Sequence, residues 1–191
     1  MRSPVQQGSP NPVDPNVFEN RRPSPDSEAQ MNTAHKVLAA ADLPAWRDAL
    51  RASGRRLVVT NGVFDLLHVG HVTYLETARS LGDLLLIGVN GDDSVRQLKG
   101  PTRPLNPEAD RARVLAALGC VDAVSIFPEM RAVNFLRLAQ PDIYVKGGDY
   151  TLETIDDNER QAVESAGGRI EFIRFVDGKS TTRLVEKIAR G

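Results

Sequence analysis

His68-Val69-Gly70-His71 sets two imidazoles three residues apart, so in a helical first turn both rings can lie on one side. Gly70 between them removes a side chain where an anion would approach closely. Upstream, Leu57-Val58-Val59 reads as a buried strand running into Thr60-Asn61-Gly62-Val63-Phe64-Asp65. Downstream, Leu75, Ala78 and Leu81 recur on one helical face. A strand, a glycine turn and a helix start bring unpaired backbone N–H groups and the positive dipole end to one point. Two imidazoles and several N–H groups around one phosphoryl group can stabilise charge building at phosphorus. Zinc is the other chemistry such a pair offers, but the only cysteine is Cys120 and no third ligand is adjacent. His35 is the one histidine outside this motif.

From residue 56 onward, strand-like and helix-like segments alternate. Strands are expected at 56–60, 84–90, 121–126, 142–146 and 169–174, and helices at 70–81, 107–118, 130–139, 153–166 and 181–190. Residues 33–53 read as a helical lead-in, with Trp46 as an anchor. This order predicts an α/β fold: a Rossmann-like doubly wound sheet of about five parallel strands with helices on both faces. Right-handed crossovers then put the loops after the strands on one edge, where ligands bind at the switch in strand order.

Several of those loops carry chemistry. Asn90-Gly91-Asp92-Asp93 is either a helix cap or a nucleotide contact. In Lys99-Gly100-Pro101-Thr102-Arg103-Pro104 the cations sit on a broken loop that is either solvated or folded over a polyphosphate, and Arg111 points either to the site or to solvent. Val145-Lys146-Gly147-Gly148-Asp149-Tyr150 places paired glycines at a strand end, a tight turn or a place where a flat ring or phosphate meets backbone. Asp177-Gly178-Lys179-Ser180-Thr181-Thr182 precedes an apolar periodic run and reads as a second helix start able to hold phosphate.

A chain of 191 residues with 41% apolar and 26% charged residues is ordinary for one soluble domain with a core. The net charge of −1 excludes nucleic-acid binding by bulk basicity. One cysteine excludes an internal disulfide and fits a reducing, cytoplasmic setting. No apolar run approaches spanning length, so no membrane partner is expected. Residues 1–32 are expected to be a disordered tail, because half of the chain's 12 prolines fall there with few large apolar groups. Met31 leaves open that this tail lies upstream of the true start. Residues 33–191 form the expected domain.

Together, Asn61-Gly62-Val63-Phe64-Asp65, His68-Val69-Gly70-His71 and Ser180-Thr181-Thr182 resemble the cytidylyltransferase-like nucleotidyltransferase superfamily. The Lys99–Pro104, Lys146–Tyr150 and Asp177–Thr182 stretches are similar to the bacterial D-glycero-β-D-manno-heptose 1-phosphate adenylyltransferases, the ADP-heptose synthase domains. The resemblance implies transfer of AMP from ATP to a sugar 1-phosphate, with magnesium held mainly by the ATP phosphates, a homodimer, and a place in lipopolysaccharide inner-core synthesis. It implies that His68, His71 and Lys99 are catalytic. The nucleotide and its phosphates would lie against Asn61, Gly62, Val63, Phe64, Val145, Gly147, Gly148, Lys179, Ser180, Thr181 and Thr182. Asp65, Arg111 and Lys146 fall to the sugar-phosphate side. Glycerol-phosphate cytidylyltransferases carry an Arg-Thr pair where this chain has Phe175 and Val176, which favours ATP over CTP. The alternatives are a CTP-using cytidylyltransferase and a nucleotide-binding regulatory module without turnover.

Overall fold

The structure is a computed structural model that describes residues 32–148, 150–174, 185, 188 and 190. Six parallel strands form one sheet: β1 (Val37–Leu38), β2 (Leu57–Gly62), β3 (Leu84–Asn90), β4 (Ala123–Phe127), β5 (Ile143–Gly147) and β6 (Arg169–Ile173). Their order is β1-β4-β3-β2-β5-β6. From β2 the chain steps outward through β3 and β4, then returns to pair β5 with the other side of β2. The winding therefore reverses between β2 and β5, and a crevice opens beyond their carboxyl ends.

The central strands are continuous apolar runs because both faces are covered. Leu57 and Val59 face a core shared with α1 (Leu43–Ala52), α5 (Val133–Ala139) and α6 (Asp157–Glu164). Val58, Leu85 and Ile87 face the opposite core, shared with α2 (Val69–Arg79) and α4 (Glu108–Ala116). Gly88 in mid-β3 is required by packing: a Cβ there would come within 2.5 Å of the Phe135 ring. That ring stacks on Phe127 with centroids 5.3 Å apart.

Six strands replace the expected five. Within the expected helical lead-in, Val37–Leu38 pairs with Val124 and Ser125 as an edge strand. The helix α1 starts only at Leu43 because Pro44 fits the first turn but not a helix interior. A short helix, α3 (Asp92–Lys99), follows Asn90-Gly91, so that stretch does start a helix. Its cap comes from elsewhere: Glu108 Oε2 accepts the Asp92 amide at 2.7 Å. The helices expected at 130–139 and 153–166 begin three and four residues later, at Val133 and Asp157. Asp156 caps α6 by accepting the Asn158 and Glu159 amides, which places its start. The expected tail, apart from Asn32, and all of the expected helix 181–190 except residues 185, 188 and 190 lie outside the described residues.

Candidate active site

The crevice between β2 and β5 holds a cleft of about 380 Å³. Its wall includes Asn61, Gly62, Val63, Phe64 and Asp65 from the end of β2, and Lys146 and Gly147 from the end of β5. His71 enters from α2 and Lys99 from the end of α3. The β2–α2 turn is tightly built. Phe64 is in the left-handed region at φ 48°, which costs a phenylalanine ~1–2 kcal/mol. Its ring is buried against Gly62, where a Cβ would stand 3.0 Å from it, and meets His71 edge-on at 5.4 Å. Burial of the ring offsets the backbone strain and swings the chain toward the helix start.

At that start His68 is the N-cap in extended conformation, and its side chain does not cap. The His68 carbonyl accepts the His71 amide at 2.9 Å, which begins α2. The two imidazoles stack, centroids 3.9 Å apart and 16° from parallel. Burial and the neighbouring His68 push the His71 pKa from 6.5 down to about 4, opposed by a hydrogen bond to the backbone at Leu66. His71 is therefore neutral at pH 7, with one ring nitrogen a donor and the other an acceptor.

The cleft floor is a polar group set among aromatic rings. Lys146 Nζ lies 2.8 Å from Glu159 Oε2 and 3.1 Å from Asn61 Oδ1. The Tyr144 hydroxyl lies 2.6 Å from the same Asn61 oxygen and 3.1 Å from the same Glu159 oxygen. Burial and the Glu159 carboxylate push the Tyr144 pKa well above its ordinary value, so this hydroxyl keeps its proton. Glu159 Oε1 accepts the Ala132 amide at 2.9 Å, tying α6 to the loop that brings Met130 and Arg131 to the cleft. The ammonium of Lys146 also stands over the Tyr144 and Tyr150 rings, at 5.0 and 5.3 Å.

A second set of contacts holds the loops. Asp65 accepts the Leu105 and Asn106 amides at 2.7 and 3.1 Å and pairs with Arg103. It thereby pins the Gly100–Asn106 loop beside the cleft. Arg111 is 2% exposed and donates to Val63 O (2.6 Å), Asn90 O (2.8 Å), Asn106 O (2.9 Å) and Asp92 Oδ1 (2.7 Å). One guanidinium thus clamps the ends of β2 and β3, the start of α3 and the loop before α4.

A family model described as Cytidylyltransferase-like matches residues 59–184. The chain belongs to the cytidylyltransferase-like family. It is 52% identical over 167 residues to the Bifunctional protein HldE of Geotalea uraniireducens, covering 87% of this chain and 32% of that protein. Against the Bifunctional protein HldE of Geobacter sulfurreducens it is 54% identical over 142 residues, covering 74% and 29%. The chain thus spans about a third of the length of the curated relatives it matches. Among solved structures it is similar to the lipopolysaccharide core biosynthesis protein from Thermoplasma volcanium GSS1, with 28% identity, a TM-score of 0.54, and coverage of 66% of this chain and 100% of that one.

In this cytidylyltransferase-like chain the structure brings most of the described residues singled out by sequence to one cleft. His68 stacks on His71 and is not among the residues that line the cleft. Val145 is fully buried, and its carbonyl accepts the Tyr74 hydroxyl at 3.1 Å. Gly148 follows β5 at φ 99°, in the turn that glycine favours. Arg111 departs from the sugar-phosphate role implied by resemblance: all of its donor nitrogens are engaged by protein acceptors, and it does not reach the cleft wall. Asp65 is on the wall but is likewise engaged by the loop. Lys179, Ser180, Thr181 and Thr182 lie outside the described residues.

Sequence reasoning missed Glu159, Tyr144, Met130 and Arg131. Glu159 had a signal: it sits one helical turn before Ala162 and Val163, on the buried stripe of α6, where a carboxylate needs a partner. Among the described residues no three His, Cys, Asp or Glu side chains gather into a metal site, and no helix is long and apolar enough to cross a membrane.

Proposed function

We propose that this chain transfers AMP from ATP to D-glycero-β-D-manno-heptose 1-phosphate, giving ADP-heptose and pyrophosphate for lipopolysaccharide inner-core synthesis. The observation that carries the reading is the convergence of His71, the β2–α2 backbone turn, Lys99 and Lys146 on one cleft at the strand-order switch. About 50% identity to the HldE proteins and the subgroup motifs support the sugar and the adenine nucleotide.

The sugar phosphate is already a nucleophile. One of its oxygens attacks the α-phosphorus of ATP in line, the bond from that phosphorus to the bridging oxygen breaks, and pyrophosphate leaves with the electron pair. Catalysis is then positioning and charge stabilisation. His71, oriented by its stack on His68, donates to the phosphate oxygens as charge builds, and the amides of Gly62, Val63 and Phe64 steady the same group. Lys99 closes over the attacking and α-phosphates. Lys179, Ser180, Thr181 and Thr182 take the β- and γ-phosphates, and Gly147, Gly148 and Val145 line the adenine side. Asp65 and Glu159, the carboxylates of the described wall, already hold cationic partners. With those carboxylates engaged, magnesium bound with ATP would be held mainly by phosphate oxygens and water, and would supply neutralisation of the pyrophosphate charge. The chain works as a cytoplasmic homodimer in this reading, without nucleic acid or membrane.

The test is a pyrophosphate-release screen of ATP and CTP against a panel of sugar 1-phosphates and glycerol 3-phosphate. Turnover only with ATP and heptose 1-phosphate is expected. Preference for CTP would assign the cytidylyltransferase alternative, and nucleotide binding without turnover would assign the regulatory one.

A further inference from the structure

The two halves of the cleft differ in charge balance. Among the described residues no carboxylate pairs with Lys99, whereas Lys146 is neutralised at contact distance by Glu159, their side chains only 11% and 4% exposed. An ammonium and a carboxylate held 2.8 Å apart act a few ångströms away as a dipole, not as a charge. A phosphate placed on Lys146 would also meet the Glu159 carboxylate. Glu159 is not free to withdraw, because its other oxygen holds the Ala132 amide. This corner offers a dianion no net charge to bind.

It suits a hydroxyl, which both donates and accepts. Asn61 Oδ1 takes two donors, the Tyr144 hydroxyl and the Lys146 ammonium, and this fixes the amide so that Nδ2 faces away from them. Among the described residues Nδ2 has no partner. Lys146 brings N–H donors and Glu159 brings an acceptor, side by side. The Tyr150 ring next to Lys146 is 43% exposed and offers a flat apolar face to the C–H side of a carbohydrate.

Building on the reaction proposed above, we propose that Asn61, Lys146 and Glu159 form a hydroxyl-binding subsite that reads the sugar rather than a phosphate, with Tyr144 as the residue that positions Asn61. The hydroxyls could belong to the sugar 1-phosphate or to the ribose of ATP, and one experiment separates these. Pyrophosphate release by the full chain is measured for the natural protein, Glu159→Gln, Lys146→Met and the doubly neutral Lys146→Met/Glu159→Gln. Removing both charges together leaves no unpaired buried ion, and so keeps a folded variant available. Each is assayed with the parent substrates, with singly deoxygenated sugar 1-phosphates, and with 2′-deoxy- and 3′-deoxy-ATP.

A hydrogen bond to a charged group is worth ~10- to 100-fold in kcat/KM. The natural protein is expected to lose that factor on one deoxygenated substrate. The variants lose a similar factor on the parent substrates, and almost nothing further on that same analogue. A deoxy-sugar showing this pattern assigns the subsite to the acceptor, and a deoxy-ATP assigns it to ribose. Variant losses that are equal on every analogue overturn the subsite while leaving the reaction standing. Absence of turnover by the natural protein with every sugar 1-phosphate overturns the reaction and the subsite together.

Discussion

Replacing Asp65 by asparagine separates a structural staple from a substrate ligand. The carboxylate is 7% exposed and accepts three donors from a loop about 40 residues away: the Leu105 and Asn106 amides and the Arg103 guanidinium. Asparagine keeps the size and one oxygen for the two amides, but loses the charge that pairs with Arg103, whose side chain is 16% exposed. Breaking a fully buried pair costs ~3–5 kcal/mol; partial exposure of the arginine and the retained amide bonds bring the expected loss to ~2–3 kcal/mol. Urea denaturation of the full chain reads this as a lower midpoint at unchanged slope. Arg103→Met should cost a similar amount, and the double variant little more than either single one, a coupling above ~1 kcal/mol. Because the pinned loop begins at Gly100, next to Lys99, the same variant should slow single turnover ~10-fold with the KM for ATP unchanged. Unaltered stability, an additive cycle and a rise confined to the KM for the sugar phosphate would refute the staple and return Asp65 to substrate binding.

His71→Ala is expected to lower turnover ~100- to 1000-fold, the usual loss of an oxyanion-type donor, with its melting curve retained; near-normal turnover would remove His71 from the chemistry. The depressed His71 pKa also predicts acid sensitivity. Between about 4 and 6.5 the unfolded chain binds a proton at this ring that the folded chain refuses, so stability is full above pH 6.5 and falls as pH drops toward 4. The full shift is worth up to ~3 kcal/mol, screened to ~1–2 kcal/mol for a ring that is partly exposed. His71→Asn should flatten that part of the stability–pH curve, and an unchanged slope would contradict it. Lys99→Ala should cost ~10-fold in the single-turnover rate, and an unchanged rate would make the loop a bystander. Arg111→Lys cannot reproduce four bonds in a planar fork, so thermal unfolding should show a loss of ~2–4 kcal/mol; a shift below ~0.5 kcal/mol would dismiss the clamp.

Those variants probe ionisable residues whose roles the sequence left alike. The strands were legible because a two-sided parallel sheet writes itself as short apolar runs such as Leu84–Asn90. The first turn was legible because glycine and histidine at that spacing have few other uses. The two-residue edge strand Val37–Leu38 was not: only its pairing with Val124 and Ser125 makes it a strand, and that partner lies nearly 90 residues away.

The limit at the site has the same origin. Asp65, Arg111 and Lys146 are charged residues at strand ends and helix starts, and each looked fit to hold a substrate. Their roles depend on which opposite charge the fold delivers. Asp65 receives Arg103, Arg111 receives Asp92 and three carbonyls, and Lys146 receives Glu159. A buried ion that gains such a partner becomes part of the frame or half of a dipole, and one that gains none keeps its field for the ligand. Spacing along the chain reports how near a charge stands to the crevice. Its residual charge, and so whether it meets phosphate or hydroxyl, is set by contacts across the sheet.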